Sequence, residues 1–114
     1  MPISSLKYLA KISYNDVTFI TETVDVFIEN TPKEINKLHI AANNQQLEEV
    51  SNAAHALKSS LKVMDMQNAY QLCLILENEA KEGGSINIIV EHIELIEKEC
   101  KQAYKELKAA LNTL

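Results

Sequence analysis

Arginine and tryptophan are absent from this chain, and glycine, proline and cysteine occur only twice each. With no arginine, bidentate recognition of phosphate or carboxylate is excluded, and any phosphate must be met by lysine point charges, backbone donors or a partner's metal. The two glycines, Gly83 and Gly84, are adjacent, so no glycine-rich nucleotide loop exists and the chain is not expected to phosphorylate itself. Cys73 and Cys100 stand 27 residues apart, with no Cys-x-x-Cys pair and no histidine at zinc-ligand spacing, which points to reduced core thiols. Long apolar runs are also missing. Runs such as Ile88-Ile89-Val90 are far too short to span a bilayer, and the start, Met1-Pro2-Ile3-Ser4-Ser5, lacks the charged and apolar regions of a signal peptide. A cytoplasmic protein is expected, unless the segment was cut from a membrane receptor.

Basic charge is in short supply. The formal net charge of −5 leaves no basic stripe of the kind that binds nucleic acid by releasing phosphate counterions. What is present is aliphatic: 46% of residues are hydrophobic, dominated by Leu, Ile, Ala and Val, a composition that suits helices. A chain of 114 residues fits one domain with one core, so residues 1–114 are read as a single all-α unit.

The helical spacing is readable from end to end. Ser5 to Ile12 can form a short helix whose edge, Leu6, Leu9 and Ile12, lids the end of a bundle. Asn15-Asp16 caps the next helix, in which Val17, Ile20, Val24, Phe27 and Ile28 follow helical spacing. Thr31-Pro32-Lys33-Glu34 could start a new helix as a capping box. However, Val24, Ile28, Thr31, Ile35, Leu38 and Ala42 keep one register across Pro32, which favours a single long helix kinked at the proline.

After the polar turn Asn43-Asn44-Gln45, Leu47, Val50, Ala54, Leu57 and Leu61 mark a third helix. Asp65 is placed as the cap of a fourth, with Ala69, Leu72, Cys73, Leu76 and Ala80 inward and Gly83-Gly84 at its end. Ser85 caps the last helix, whose stripe runs Ile89, Ile93, Ile96, Cys100, Ala103, Leu107 and Leu111. Four long amphipathic helices joined by short turns imply an antiparallel up-down four-helix bundle, in which Cys73 and Cys100 share a core layer.

One stretch of the third helix is distinctive: Ala54-His55-Ala56-Leu57-Lys58-Ser59-Ser60-Leu61-Lys62. At ~100° per residue His55 lies well away from the centre of the apolar stripe and faces water. Ser51 and Ser59 fall one turn to either side of it, Lys62 two turns on, and Lys58 borders the same patch. Taken by spacing alone, this is an ordinary solvated helix face with a stray histidine.

Ala54-His55-Ala56-Leu57-Lys58, followed by small residues and then by Cys73-Leu74-Ile75-Leu76-Glu77 eighteen residues after the histidine, resembles the signature of histidine-containing phosphotransfer (HPt) domains. The resemblance runs from about Phe19 to Leu107 and takes in the Phe27, Pro32 and Leu38 pattern of the preceding helix. It implies a phosphorelay intermediate: His55 as phospho-acceptor, Lys58 as its flanking lysine, Glu77 at a position where such domains often carry Glu or Gln, and Ser59 where they usually have glycine. Asp65 likewise stands where many members have glycine at the turn. Receiver domains are the implied partners, with Mg²⁺ bound by the receiver and no cofactor held by the chain itself. Ser51, Ser59 and Lys62 are the candidate partner-binding residues, and a monomer is expected. Independently of the resemblance, antiparallel packing about a turn near residue 64 brings Glu77 beside His55, where it can accept a hydrogen bond from Nδ1–H and leave Nε2 as the nucleophile.

Two other readings stand beside this one. A non-catalytic adaptor would keep the bundle shape and bind signalling partners without carrying phosphate. A di-metal bundle would need His39 or His92 within Glu-x-x-His pairs, and neither is, so both are read as solvated. Met64 and Met66 are read as packing residues. The four tyrosines, Tyr8, Tyr14, Tyr70 and Tyr104, are read as packed with their hydroxyls at the bundle edge. Lys98, Lys101, Lys105 and Lys108, mixed with Glu97, Glu99 and Glu106, mark a solvated outer face rather than a membrane-binding stripe.

Overall fold

The computed structural model describes residues 2–114 and contains five helices: α1 (Lys7–Ile12), α2 (Val17–Asn43), α3 (Leu47–Val63), α4 (Gln67–Lys81) and α5 (Ile86–Leu111). No strand occurs among the described residues. Helices α2 to α5 each pack on the next, and α5 closes the ring against α2, giving a body of 43 × 23 × 21 Å. None of the helices is long and apolar enough to cross a membrane.

The apolar stripes meet in one core. Val24, Leu38 and Ala42 of α2, Val50, Ala54, Leu57 and Leu61 of α3, Cys73 and Leu76 of α4 and Ile89, Ile93, Ile96 and Cys100 of α5 are wholly buried. Met64 and Met66 are buried at the α3–α4 turn. Val17, Ile12 and Tyr14 depart from the spacing-based reading and lie exposed around the α1–α2 corner, where the ring of long helices ends and no neighbour covers them. Helix α2 passes through Pro32 without a break, with Thr31 buried and Pro32 on the outer face. The ring of Tyr104 meets that of Phe27 edge-on at 5.9 Å, tying α5 to α2. On the same seam, His39 Nε2 lies 3.1 Å from Glu97 Oε1, so His39 is partnered rather than freely solvated.

One turn geometry recurs three times. At the ends of α2, α3 and α4 the residue after the C-cap, Gln45, Asp65 or Gly83, has a φ of 56°, 55° or 68°. Its N–H bonds the carbonyl three residues back, and the next N–H bonds the carbonyl five back, as in Asp65 N–H to Lys62 O (3.1 Å) and Met66 N–H to Leu61 O (3.0 Å). This is the Schellman closure, which satisfies helix-end carbonyls at the cost of one left-handed residue. Only the third instance uses glycine.

The Asp65 assignment is corrected by this geometry. A left-handed residue is not in the extended conformation that an N-cap requires, and Met66 occupies the position before α4. The Asp65 carboxylate instead accepts from Tyr8 N–H (3.1 Å) and Ser5 Oγ–H (3.0 Å), capping α1 from another part of the chain. The segment before α1 is held at its other end by Glu106 of α5, which accepts from the N–H groups of Ile3 (2.9 Å) and Ser4 (3.0 Å) and from Ser4 Oγ–H (2.7 Å). Ser5 N–H adds a bond to Met64 O at 3.0 Å. With Leu9 wholly buried, α1 is thereby fixed against the end of the bundle where α3 turns into α4.

Candidate functional site

Helix α3 holds the site because its inner face is immobile. Ala54, Leu57 and Leu61 are fully buried, so the residues between them are presented outward at fixed angles. His55 is one of the open ones, with 71% of its side chain exposed. Helix α4 approaches from one side and contributes Glu77, whose side chain is only 7% exposed.

The contacts around Glu77 form a closed set. His55 Nδ1 lies 2.7 Å from Glu77 Oε2, Lys58 Nζ donates to Oε1 at 2.9 Å, and Lys81 Nζ stands 4.0 Å from Oε2. The Lys58 hydrogen bond lowers the Glu77 pKa most; burial opposes it, and the His55 hydrogen bond and the charges of Lys58 and Lys81 lower it further, so the net position is below the usual carboxylate range. At neutral pH Glu77 is therefore ionised and can only accept. In a neutral imidazole the proton must then sit on Nδ1, and the lone pair on the open Nε2.

Helical angles separate the other candidates. At ~100° per residue Ser59 falls about 160° from the centre of the α3 apolar stripe, Lys58 about 60° and Ser51 about 80°. Ser59 is accordingly exposed and Lys58 is drawn inward to 17% side-chain exposure. Ser51, placed by spacing on the open face, is 5% exposed: it lies on the same flank as Lys58, the flank that turns toward α4, and it offers no free surface to a partner. Lys62 is exposed, as expected from its spacing.

Beside His55 the surface forms an open depression of about 340 Å³, lined by His55, Ala56, Lys58, Ser59, Lys62 and Tyr70. Tyr70 and Lys81 were not singled out from the sequence as site residues. A signal for them exists: Tyr70, Glu77 and Lys81 are spaced by seven and four on α4, so once Glu77 faces His55 all three share its flank. Among the described residues no group of three or more His, Cys, Asp or Glu is arranged to hold a metal. Cys73 and Cys100 are free and buried, and burial pushes both thiols up to about 12, so neither serves as a nucleophile at neutral pH.

No curated protein and no solved structure matches the chain. A family model does: that of the Hpt domain covers residues 22–112, which includes α3, α4 and every side chain of the His55 cluster. The match takes in most of the chain, and the exposed histidine backed by a buried, ionised carboxylate lies inside it, so the chain belongs to the Hpt domain family of the two-component phosphorelays.

Proposed function

We propose that this protein carries a phosphoryl group on Nε2 of His55, taking it from the phospho-aspartate of one receiver domain and passing it to the aspartate of another. The observation that supports this most directly is the 2.7 Å contact between His55 Nδ1 and the buried carboxylate of Glu77, on a ring whose other edge is open. The four long helices, joined by short turns in a body 43 Å long, run alternately up and down in this reading, which sets the middle of α4 antiparallel to α3.

The reaction asks for position and charge rather than for a strong base. The Nε2 lone pair forms the N–P bond while the P–O bond to the receiver's aspartate breaks, and the carboxylate leaves with the bonding electrons. The ring keeps its Nδ1 proton and gains a positive charge. Glu77 is already ionised beside that proton, so the charge develops against a waiting counter-charge. Lys58, fixed by Glu77 next to the histidine, and Lys62 offset phosphoryl charge, each by about a kcal/mol or less at this open surface. Mg²⁺ belongs to the receiver in this scheme, and the chain contributes no cofactor.

The carrier works in the cytoplasm as a monomer, and the receiver docks on the open side of α3, over Ser59 and Lys62. Serine in place of the usual glycine at 59 is small enough to let the receiver approach. Mixing the protein with a phosphorylated receiver should place acid-labile, base-stable label on His55, and His55→Gln should remove it. If the wild-type protein takes up no label from any receiver while still binding it, the adaptor reading replaces this one.

A further inference from the structure

The depression beside His55 runs against the charge of the molecule as a whole. The protein has a net charge of −5, yet no carboxylate lines this depression; its polar lining consists of His55, Lys58, Ser59, Lys62 and Tyr70. Three of these donors are uncommitted. Lys62 makes no ion pair among the described residues, whereas Lys58 is bound to Glu77 at 2.9 Å. The Tyr70 hydroxyl has no hydrogen-bond partner among the described residues, and Ser59 Oγ has only a long 3.4 Å bond to its own helix at Ala56 O.

The three come from two helices. Ser59 and Lys62 project from α3, one and about two turns beyond His55, and Tyr70 reaches in from α4. A hydroxyl, an ammonium and a phenol that face one open space from two walls present O–H and N–H donors and no acceptor charge. An anion attached to the histidine at the rim would enter this space, and an oxygen-rich dianion would satisfy all three donors together.

We infer that Ser59, Lys62 and Tyr70 form a cradle for the phosphoryl oxygens of phospho-His55, holding the dianion after transfer. The inference rests on His55 being the phospho-acceptor and adds which residues stabilise the product. It assigns a task to Ser59, which at the usual glycine position supplies a donor that glycine lacks. Ser59, Lys62 and Tyr70 act on the bound phosphoryl group, Glu77 orients the ring, and Lys58 is held by Glu77 at the edge of the cradle.

A small phosphoryl donor tests the cradle without any receiver. With phosphoramidate, Nε2 forms the N–P bond as the P–N bond to ammonia breaks, and ammonia leaves. The ³¹P resonance of phospho-His55 is then followed against pH in the wild-type protein and in Ser59→Ala, Lys62→Gln, Tyr70→Phe and, as a distant control, Lys105→Gln. A cradle favours the dianion, so each of the three variants should weaken it about two- to fivefold, moving the second protonation of the phosphoryl group upward by a few tenths of a pH unit. Lys105→Gln should leave it in place.

If His55 carries phosphate and the three variants titrate as wild type does, the cradle is refuted and the carrier reading stands. A shift of the same size in Lys105→Gln would also refute it, because net charge alone would then account for the effect. If His55 takes up no phosphate from either phosphoramidate or a phosphorylated receiver, the carrier reading fails and the cradle with it. Equal melting temperatures for wild type and the three variants would exclude misfolding as the source of a shift.

Discussion

The chemistry of the site depends on which atom of Glu77 does what. Oε2 meets the Nδ1 edge of His55 and Oε1 meets Lys58, so the carboxylate orients the ring and neutralises a half-buried ammonium at once. Replacing it separates the two tasks. Glu77→Ala removes the acceptor and leaves Lys58 without its partner; transfer to His55 is expected to fall by about 10- to 100-fold, the loss seen when a metal-bound histidine is deprived of its orienting carboxylate. The same change should cost about 1–3 kcal/mol of stability, measurable by urea denaturation. Glu77→Gln keeps a carbonyl acceptor for Nδ1–H but loses the charge, so its transfer rate should lie between those of wild type and Glu77→Ala. A rate for Glu77→Gln as low as that of Glu77→Ala would mean that the charge, and not the fixed tautomer, is what matters.

At the scale of the element, the turns carry the strain. Gln45 and Asp65 hold φ values of 56° and 55°, a conformation that costs an L-residue about 1–2 kcal/mol and costs glycine almost nothing. Gln45 is exposed and has no side-chain hydrogen bond among the described residues, so Gln45→Gly should stabilise the protein by about 0.5–1 kcal/mol and raise the melting midpoint by a few degrees. Asp65→Gly should behave differently despite the matching backbone. It relieves the same strain but deletes the carboxylate that accepts from Tyr8 N–H and Ser5 Oγ–H, so little net stability is gained and α1 loosens. Hydrogen exchange separates the two variants: the Tyr8 amide should exchange faster in Asp65→Gly and unchanged in Gln45→Gly.

These turns also show where sequence reading stops. Asp16 is a local cap, accepting from Phe19 N–H three residues on at 3.1 Å, and was legible because both partners lie in one stretch. Asp65 looks equally suited to cap α4, but its partners Ser5 and Tyr8 are about sixty residues away, and nothing near it in the chain announces them. The five helices, the stripe through Pro32 and the pairing of Glu77 with His55 all followed from periodicity, the short turn and the HPt resemblance. Ser51 did not, because a residue about 80° from a stripe centre is buried or exposed according to how closely the neighbouring helix approaches, and that distance is a tertiary property. Tyr70 reads as a packing residue for a related reason: spacing gives its helix face, but which residues of α3 stand opposite depends on register.

For the molecule as a whole, two carboxylates link the site and the N-terminal segment to a common dependence on acid. Glu77 is held below the usual carboxylate range chiefly by the hydrogen bond from Lys58, aided by His55. At Glu106 burial alone would raise the pKa, but the bonds from Ser4 Oγ–H, Gln102 and the N–H groups of Ile3 and Ser4 outweigh it, and the net displacement is again downward. A carboxyl whose pKa is lower folded than unfolded contributes stability that is complete above the unfolded value and is lost as pH falls through the folded one. The protein should therefore keep its stability above the unfolded carboxyl value of 4.5 and lose it progressively below that, as these two groups take up protons. The two losses are separable because the groups lie in different places. In Glu106→Gln the acid-induced loss should shrink, and the residues before α1 should already exchange their amides quickly at neutral pH. In Glu77→Gln the acid dependence should shrink by its own share while the segment before α1 stays bound. Melting curves from pH 7 down to pH 3 for wild type and both variants test this: an undiminished acid dependence in both would mean that other carboxylates carry it.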